Sequence, residues 1–145
     1  MPIERRYDDL KVGDKATLSK TITDADVVLF AGLSGDFNPV HLDEEFAKEG
    51  LFEKRIAHGM LGAGLISAVI GTDLPGVNSI YLSQELKFVA PVFIGDTLTA
   101  EVEIVKKRDD KKLITLKTTV RNQRRENVIE GEAFIKKFEP KSSSR

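Results

Sequence analysis

The sequence contains no cysteine among its 145 residues. That absence excludes disulfide bonds, thiolate ligands for a metal and a cysteine nucleophile. It is compatible with a reducing compartment, although many secreted chains also lack cysteine. Histidine is nearly as scarce, since the chain has two, His41 and His58. Any chemistry that needs an imidazole must therefore use these two side chains.

Long apolar segments and an excess of one charge are also lacking. No apolar run approaches the roughly 20 residues that a membrane-spanning helix needs, and the N-terminal segment has no apolar stretch of signal-peptide length. The formal net charge is −1, so no overall field attracts nucleic acid or an anionic membrane. We therefore expect a cytoplasmic protein with neither a nucleic-acid nor a membrane partner.

The residues that are present suffice for one domain. The length is ordinary for a single domain, and 41% hydrophobic with 31% charged residues is a globular balance. A domain of this size buries roughly two thirds of the surface of its unfolded chain, so it can fold without a disulfide or a metal. We predict one domain over residues 1–145, ending in a short flexible tail over residues 140–145.

The period of the apolar residues divides this domain into helices and strands. A capping pattern at Thr23 predicts a helix that ends near Ser34, and a short helix is predicted over residues 44–49. Asn38-Pro39 predicts an irregular link, because a residue before proline avoids the α region. Alternating apolar residues predict strands over residues 15–22, 80–88, 97–105, 113–121 and 127–138.

The segment HGMLGAGLISAVIGTDLPG, residues 58–76, is apolar on nearly every side. It predicts a buried helix over about residues 59–72. Short links between the strands favour antiparallel pairing, and a one-faced apolar sheet and such a helix must cover each other. The prediction is an α+β hot-dog fold, an antiparallel β-sheet wrapped around a long central helix. Because the far side of that helix still needs cover, we also expect a homodimer or a higher homo-oligomer.

Asp36 and His41, within SGDFNPVH at residues 34–41, are a candidate acid–base pair. Their spacing fits equally well with side-chain turns at Asp36 and Asn38 and a His41 that is merely hydrogen-bonded. Other chemistries have less support, because the sequence lacks a phosphate loop, a nucleophile elbow and a standard zinc spacing. We therefore predict acid–base chemistry directed at water, without a cofactor or a metal.

Three segments together resemble one known family. FAGLSGDFNPVHLD at residues 30–43 is similar to the signature of the MaoC-like dehydratases, which include (R)-specific enoyl-CoA hydratases. HGML at 58–61 and LKFVAPVFIGDTLT at 86–99 resemble the same family in the same order. The likeness extends from about residue 7 to residue 138. It implies a hydro-lyase of fatty-acid metabolism that adds water reversibly to trans-2-enoyl thioesters.

The resemblance also implies roles for individual residues. Asp36 and His41 would activate the water, and Asn38 would brace their loop. The backbone N–H of Gly59 would bind the thioester carbonyl oxygen, and Ser67 would lie near the catalytic pair. A helix N-terminus suits such an oxyanion site, because its free N–H groups and its dipole face the developing negative charge. His58, just before Gly59, is expected to fix the loop that presents it.

Two other functions fit the same fold. A hot-dog acyl-CoA thioesterase would release a free thiol, whereas hydration releases none. An acyl-thioester binding subunit would bind its ligand without turnover. The signature around Asp36 and His41 speaks against both. The expected substrate is an acyl-CoA thioester, with acyl carrier protein as the alternative carrier, and neither carrier nor chain length follows from the sequence.

Overall fold

The computed structural model describes residues 1–139, so the predicted tail over residues 140–145 lies outside the described residues. A short 3-10 turn at Tyr7–Asp9 precedes the first strand. The strands are β1 (Lys15–Thr21), β2 (Ser79–Phe88), β3 (Thr97–Arg108), β4 (Leu113–Arg121) and β5 (Asn127–Lys137). The helices are α1 (Asp24–Ser34), α2 (Pro39–Leu42), α3 (Glu44–Lys48) and α4 (Gly59–Thr72).

The five strands form one antiparallel sheet in the order β1-β3-β4-β5-β2. The predicted alternation places one apolar face of this sheet against α4, which contacts β1, β2, β3 and β4. Strand β3 illustrates the pattern, because every second residue from Leu98 to Ile104 is fully buried while those between are half-exposed. Helix α4 contributes Ile66, Val69 and Ile70 to the same core. The predicted α+β class is confirmed.

The bounds of the elements follow the predictions closely, with one difference in a strand. The central helix spans residues 59–72, as predicted. Strand β3 continues to Arg108, although its charged end resembles a turn in the sequence. The ammonium of Lys107 donates to the carbonyl oxygen of Tyr7 at 3.2 Å, and Arg108 still pairs with Leu113. The charge of Lys107 therefore serves the contact between the N-terminal segment and the sheet.

Helix α2 contradicts the prediction of an irregular link at Asn38-Pro39. Pro39 is the first residue of this one-turn helix, and Asn38 is its N-cap. Proline is favoured at the first helical position, because the amide hydrogen it lacks has no partner there in any helix. Asn38 itself stays outside the α region with ψ 124°, as a residue before proline should. His41 therefore lies in a short helix and not in a loop.

Helix α4 is covered on one side only within this chain, and its far side, which the sequence predicts to need cover, is open. Met60, Gly64, Ser67 and Gly71 are exposed along one of its sides. The single sheet covers the opposite side, so the rest of the apolar surface lies open within this chain. Among residues 1–139, no helix has the length and apolar character needed to cross a membrane.

Candidate active site

The loop that carries Asp36 is organised by hydrogen bonds between its own residues. Helix α1 ends at Gly35, whose left-handed φ of 83° turns the chain away from the helix axis. The Ser34 hydroxyl accepts from the Asp36 N–H at 3.1 Å, and Asp36 Oδ1 accepts from the Asn38 N–H at 3.1 Å. Asn38 Oδ1 then caps α2 by accepting from the Val40 N–H at 3.2 Å. These bonds leave Asp36 Oδ2 free.

The predicted pair is brought together. His41 Nε2 lies 3.9 Å from Asp36 Oδ2, with the His41 side chain 10% exposed and that of Asp36 51% exposed. The other ring nitrogen of His41, Nδ1, lies 2.7 Å from the carbonyl oxygen of Ile56. Because a carbonyl oxygen only accepts, Nδ1 carries a hydrogen, and in the neutral ring Nε2 then holds the lone pair. The pair therefore presents two acceptors to whatever lies between them.

The side chain of Arg55 holds helix α2, which carries His41. Its Nε donates to the His41 carbonyl oxygen at 2.7 Å, and its guanidinium forms an ion pair with Asp24 at 2.6 Å. Sequence reasoning missed Arg55 and the Ile56 carbonyl as partners of His41. A backbone carbonyl leaves no signal in residue type, and Arg55 lies 14 residues from His41 in the chain.

Gly59 is the first residue of α4, as the predicted oxyanion site requires. His58, the N-cap residue, makes no capping hydrogen bond with its side chain. The first N–H groups of a helix have no partner within the helix, so the Gly59 N–H is suited to an external acceptor. A Cβ at position 59 would lie 2.8 Å from two ring atoms of Phe88. Only glycine fits against that ring without a shift.

His58 is buried, with 3% of its surface exposed. Its ring stacks on that of His41, with centroids 3.8 Å apart and planes at 28°. Its Nε2 lies 3.0 Å from the carbonyl oxygen of Asp36. His58 therefore contacts the backbone of the Asp36 loop, and its expected role in fixing the loop that presents Gly59 stays a prediction.

Asp36, His41 and His58 are also the described residues that could hold a metal ion, since one ligand atom of each lies within 4.8 Å of the others. The stacking of the two imidazoles works against this use. An imidazole nitrogen binds a metal in the plane of its ring, and two nearly parallel rings do not point at one ion. A metal would need one ring to rotate out of the stack.

Ser67 lies further along helix α4 than Gly59. It is exposed on α4, eight residues after Gly59, or about 12 Å along the helix axis at 1.5 Å per residue. Within residues 1–139 its hydroxyl makes no hydrogen bond to Asp36 or His41. Its predicted place near the catalytic pair stays a prediction.

A mainly apolar cavity of about 540 Å³ begins at Gly59. It lies between the start of α4 and the segment after β2, and its size is within the usual range for small-molecule sites. Its lining includes Gly59, Met60, Phe88, Val89, Pro91 and Ile129. The amide of Gly59 therefore borders a space that suits an apolar ligand.

A second, polar cleft of about 500 Å³ lies near Arg55. Three acidic and three basic side chains line it, so the formal charges of its lining sum to zero. These charged residues are Asp24, Glu44, Glu53, Lys48, Lys54 and Arg55.

Comparison with known proteins places the chain in a family. Residues 11–126 match the MaoC like domain. An (R)-specific enoyl-CoA hydratase of Rhodospirillum rubrum is 52% identical over 129 residues, which cover 89% of each chain. The solved (R)-hydratase of Aeromonas caviae, described as involved in PHA biosynthesis, is 50% identical with a TM-score of 0.87, covering 89% of this chain and 98% of that one.

A second solved structure agrees. The unliganded R-hydratase of Pseudomonas aeruginosa is 47% identical with a TM-score of 0.88, and the match covers 92% of this chain and 86% of that one. Fold and site together define a hot-dog protein with a histidine–aspartate pair beside the start of its central helix. The chain belongs to the MaoC-like domain family.

Proposed function

We propose that this chain is an (R)-specific enoyl-CoA hydratase, a hydro-lyase that adds water reversibly to trans-2-enoyl-CoA. The observation that carries the proposal is the facing pair of acceptors, His41 Nε2 and Asp36 Oδ2, 3.9 Å apart. The names of the relatives at 50–52% identity support the same activity. The product is (R)-3-hydroxyacyl-CoA.

The separation of the two acceptors suits a bound water. At 3.9 Å they are too far apart for a direct hydrogen bond, and a single water can bridge them. Because both atoms accept, the water donates one O–H to each and keeps its lone pairs free. The oxygen of that water is then the nucleophile.

Hydration adds a hydroxyl group and a proton to the double bond, and one water supplies both in a single step. The water oxygen bonds to the β carbon, and His41 Nε2 takes one proton from the water and delivers it to the α carbon. Asp36 Oδ2 holds the second hydrogen and stabilises the imidazolium while it exists. Negative charge that develops on the thioester oxygen is met by the N–H of Gly59 at the positive end of α4. Asn38 acts through Asp36, whose Oδ1 it holds.

The apolar cavity beside Gly59 is suited to the acyl part of the substrate. An enoyl thioester whose carbonyl oxygen lies on the Gly59 N–H would bury its apolar part among Met60, Phe88 and Ile129. The polar cleft near Arg55 offers no net positive charge to a nucleotide.

Crotonyl-CoA tests the proposal directly. Hydration is expected to remove the absorbance of the conjugated thioester, and chiral analysis is expected to give the (R)-3-hydroxy product. The absence of cysteine sharpens the control, because a thiol reagent then detects only released coenzyme A. Thiol release would indicate a thioesterase, and saturable binding without turnover would indicate a binding subunit. Either result across several acyl lengths would contradict the hydratase.

The same assay addresses the carrier. Crotonyl groups on coenzyme A and on acyl carrier protein present the same thioester and the same phosphopantetheine arm. We expect turnover of the coenzyme A form, with kcat/KM at least equal to that of the protein-bound form. A strong preference for the carrier protein would instead assign the chain to dehydration of protein-bound 3-hydroxyacyl groups.

We propose further that two copies of this chain pair through β2. This strand is at an edge of the sheet and is bonded on one side only, to β5. It exposes Ile80, Tyr81 and Leu82 by 46%, 38% and 48%. An apolar edge strand is a template for pairing with another strand, and the exposed side of α4 offers a second copy further apolar surface.

A lysine on this edge tests the dimer. Wild-type protein is expected to sediment at twice the chain mass of 16.1 kDa, and Leu82→Lys is expected to shift it toward the monomer, because a charged edge resists pairing. Val12→Lys is the matched control, since Val12 is 62% exposed in a turn away from β2. A monomeric wild type, or a dimer unaffected by Leu82→Lys, would overturn the proposed interface.

A further inference from the structure

We propose that His58 is a positioning residue that holds Asp36 and His41 in register with the start of α4. The proposal rests on the hydratase function above, because it assigns His58 a part in that reaction. His58 contacts all three parts of the site, which are the start of α4, the ring of His41 and the loop that carries Asp36. It is the N-cap of α4 before Gly59, its ring lies on His41, and its Nε2 reaches the Asp36 carbonyl.

The hydrogen bonds of His58 determine which form of the ring is present. The Asp36 carbonyl oxygen can only accept, so His58 Nε2 carries the hydrogen and donates it at 3.0 Å. The lone pair is then on Nδ1, which is buried and has no partner among residues 1–139. His41 has the opposite tautomer, with its hydrogen on Nδ1 and its lone pair on Nε2.

This arrangement separates the tasks of the two histidines. His41 presents its lone pair toward the side chain of Asp36. His58 has used its only N–H on the backbone, and its lone pair is closed off from solvent. His58 therefore has no means to exchange a proton with a substrate, and its contribution is geometric.

The Asp36 loop needs such an anchor. The other hydrogen bonds of residues 35–38 join near neighbours, within four positions along the chain. In the described part of the chain, the bond from His58 is the one that ties this loop to a distant segment, 22 residues away. The ring of Phe30 also packs against that of His58, with ring centroids 4.8 Å apart. Without the hydrogen bond from His58, the loop can shift, and Asp36 Oδ2 can then move away from His41 Nε2.

Two substitutions separate the hydrogen bond from the ring. His58→Phe keeps an aromatic ring against His41 and removes the donor. His58→Gln keeps an N–H at similar reach and removes the ring. We expect His58→Phe to lower kcat about 10-fold with KM nearly unchanged, because a misplaced acid–base pair slows the chemical step. His58→Gln is expected to recover most of that loss.

A role of His58 in folding alone would give a different result from the one expected here, in which the melting temperature and kcat change independently. Phenylalanine leaves no unpaired Nδ1, and water can replace the lost donor at the carbonyl of Asp36, which is exposed, so His58→Phe should melt close to wild type while kcat falls. A His58→Phe protein that is folded and has wild-type kcat would overturn the proposal. So would a His58→Gln variant as slow as His58→Phe, because the donor would then not be what matters.

The tautomers provide a test that needs no turnover. With two histidines in the chain, the imidazole ¹⁵N–¹H spectrum of the wild-type protein resolves both rings. We expect a protonated Nε2 for His58 and a protonated Nδ1 for His41. Finding His58 protonated at Nδ1 instead would exclude the bond to Asp36 and with it the proposal. If the tautomers are as expected but no enoyl thioester is hydrated, the proposed function fails and the anchoring of the loop stands.

Discussion

His41→Ala is expected to lower kcat for crotonyl-CoA hydration by about 100-fold or more, since it removes the group that moves the proton. Alanine also leaves the Ile56 carbonyl without its partner, and an unsatisfied buried acceptor costs about 1–3 kcal/mol. His41→Asn removes the same Nε2 while its side-chain amide can still donate to Ile56. The asparagine variant should therefore be as slow as the alanine variant but melt closer to wild type.

Asp36→Asn is the complementary change, and it should cost a similar factor of about 100 or more in kcat. The amide keeps an oxygen for the Asn38 N–H, so the loop retains its shape. The other atom becomes a donor, and it no longer accepts a hydrogen from the water or stabilises the imidazolium. Stability should hardly change, because the Asp36 side chain is 51% exposed.

The two changes together show whether the residues act as one unit. Groups that work in the same step are strongly non-additive, so Asp36→Asn with His41→Asn should be about as slow as either alone. Steady-state kinetics with crotonyl-CoA measures this, and Asp8→Asn, the same change at an exposed carboxylate, is the control. Losses that multiply in the double variant would contradict a shared water.

Most of the sheet and the central helix could be predicted from the sequence, because their signals are local. Alternating apolar residues mark the strands, and the run after His58 marks α4. Helix α2 was missed because Asn38-Pro39 was interpreted only as a barrier to helix. An asparagine cap followed by proline at the first helical position is equally a start signal.

The site was predictable to the extent that its parts are close in the chain. Asp36, Asn38 and His41 lie within six residues, and the structure brings the pair to 3.9 Å. The contacts that orient the pair come from residues 55–58, and only the folded chain brings them into place. The ring stack and a backbone acceptor leave no pattern in residue types, so neither could be derived beforehand.

Gly59→Ala is expected to lower kcat/KM for crotonyl-CoA by up to about 100-fold, although the N–H that binds the oxygen remains. A Cβ at this position would lie 2.8 Å from the Phe88 ring, so the ring or the start of α4 must shift. Phe88 is 51% exposed and borders the cavity, so its ring can move. Its new position would be in the space that the thioester has to occupy. Stability should hardly fall, because alanine is the better helix former.

Two further variants separate this crowding from other causes. Gly32→Ala makes the same change within helix α1 with nothing within 4 Å of the new Cβ, and it should leave kcat/KM unchanged. Phe88→Ala combined with Gly59→Ala removes the ring that the new methyl meets, so kcat/KM should rise again toward that of Phe88→Ala alone. Wild-type kcat/KM in Gly59→Ala would mean that the thioester oxygen does not bind at the start of α4. The acceptor pair at Asp36 and His41 would then need another oxyanion donor.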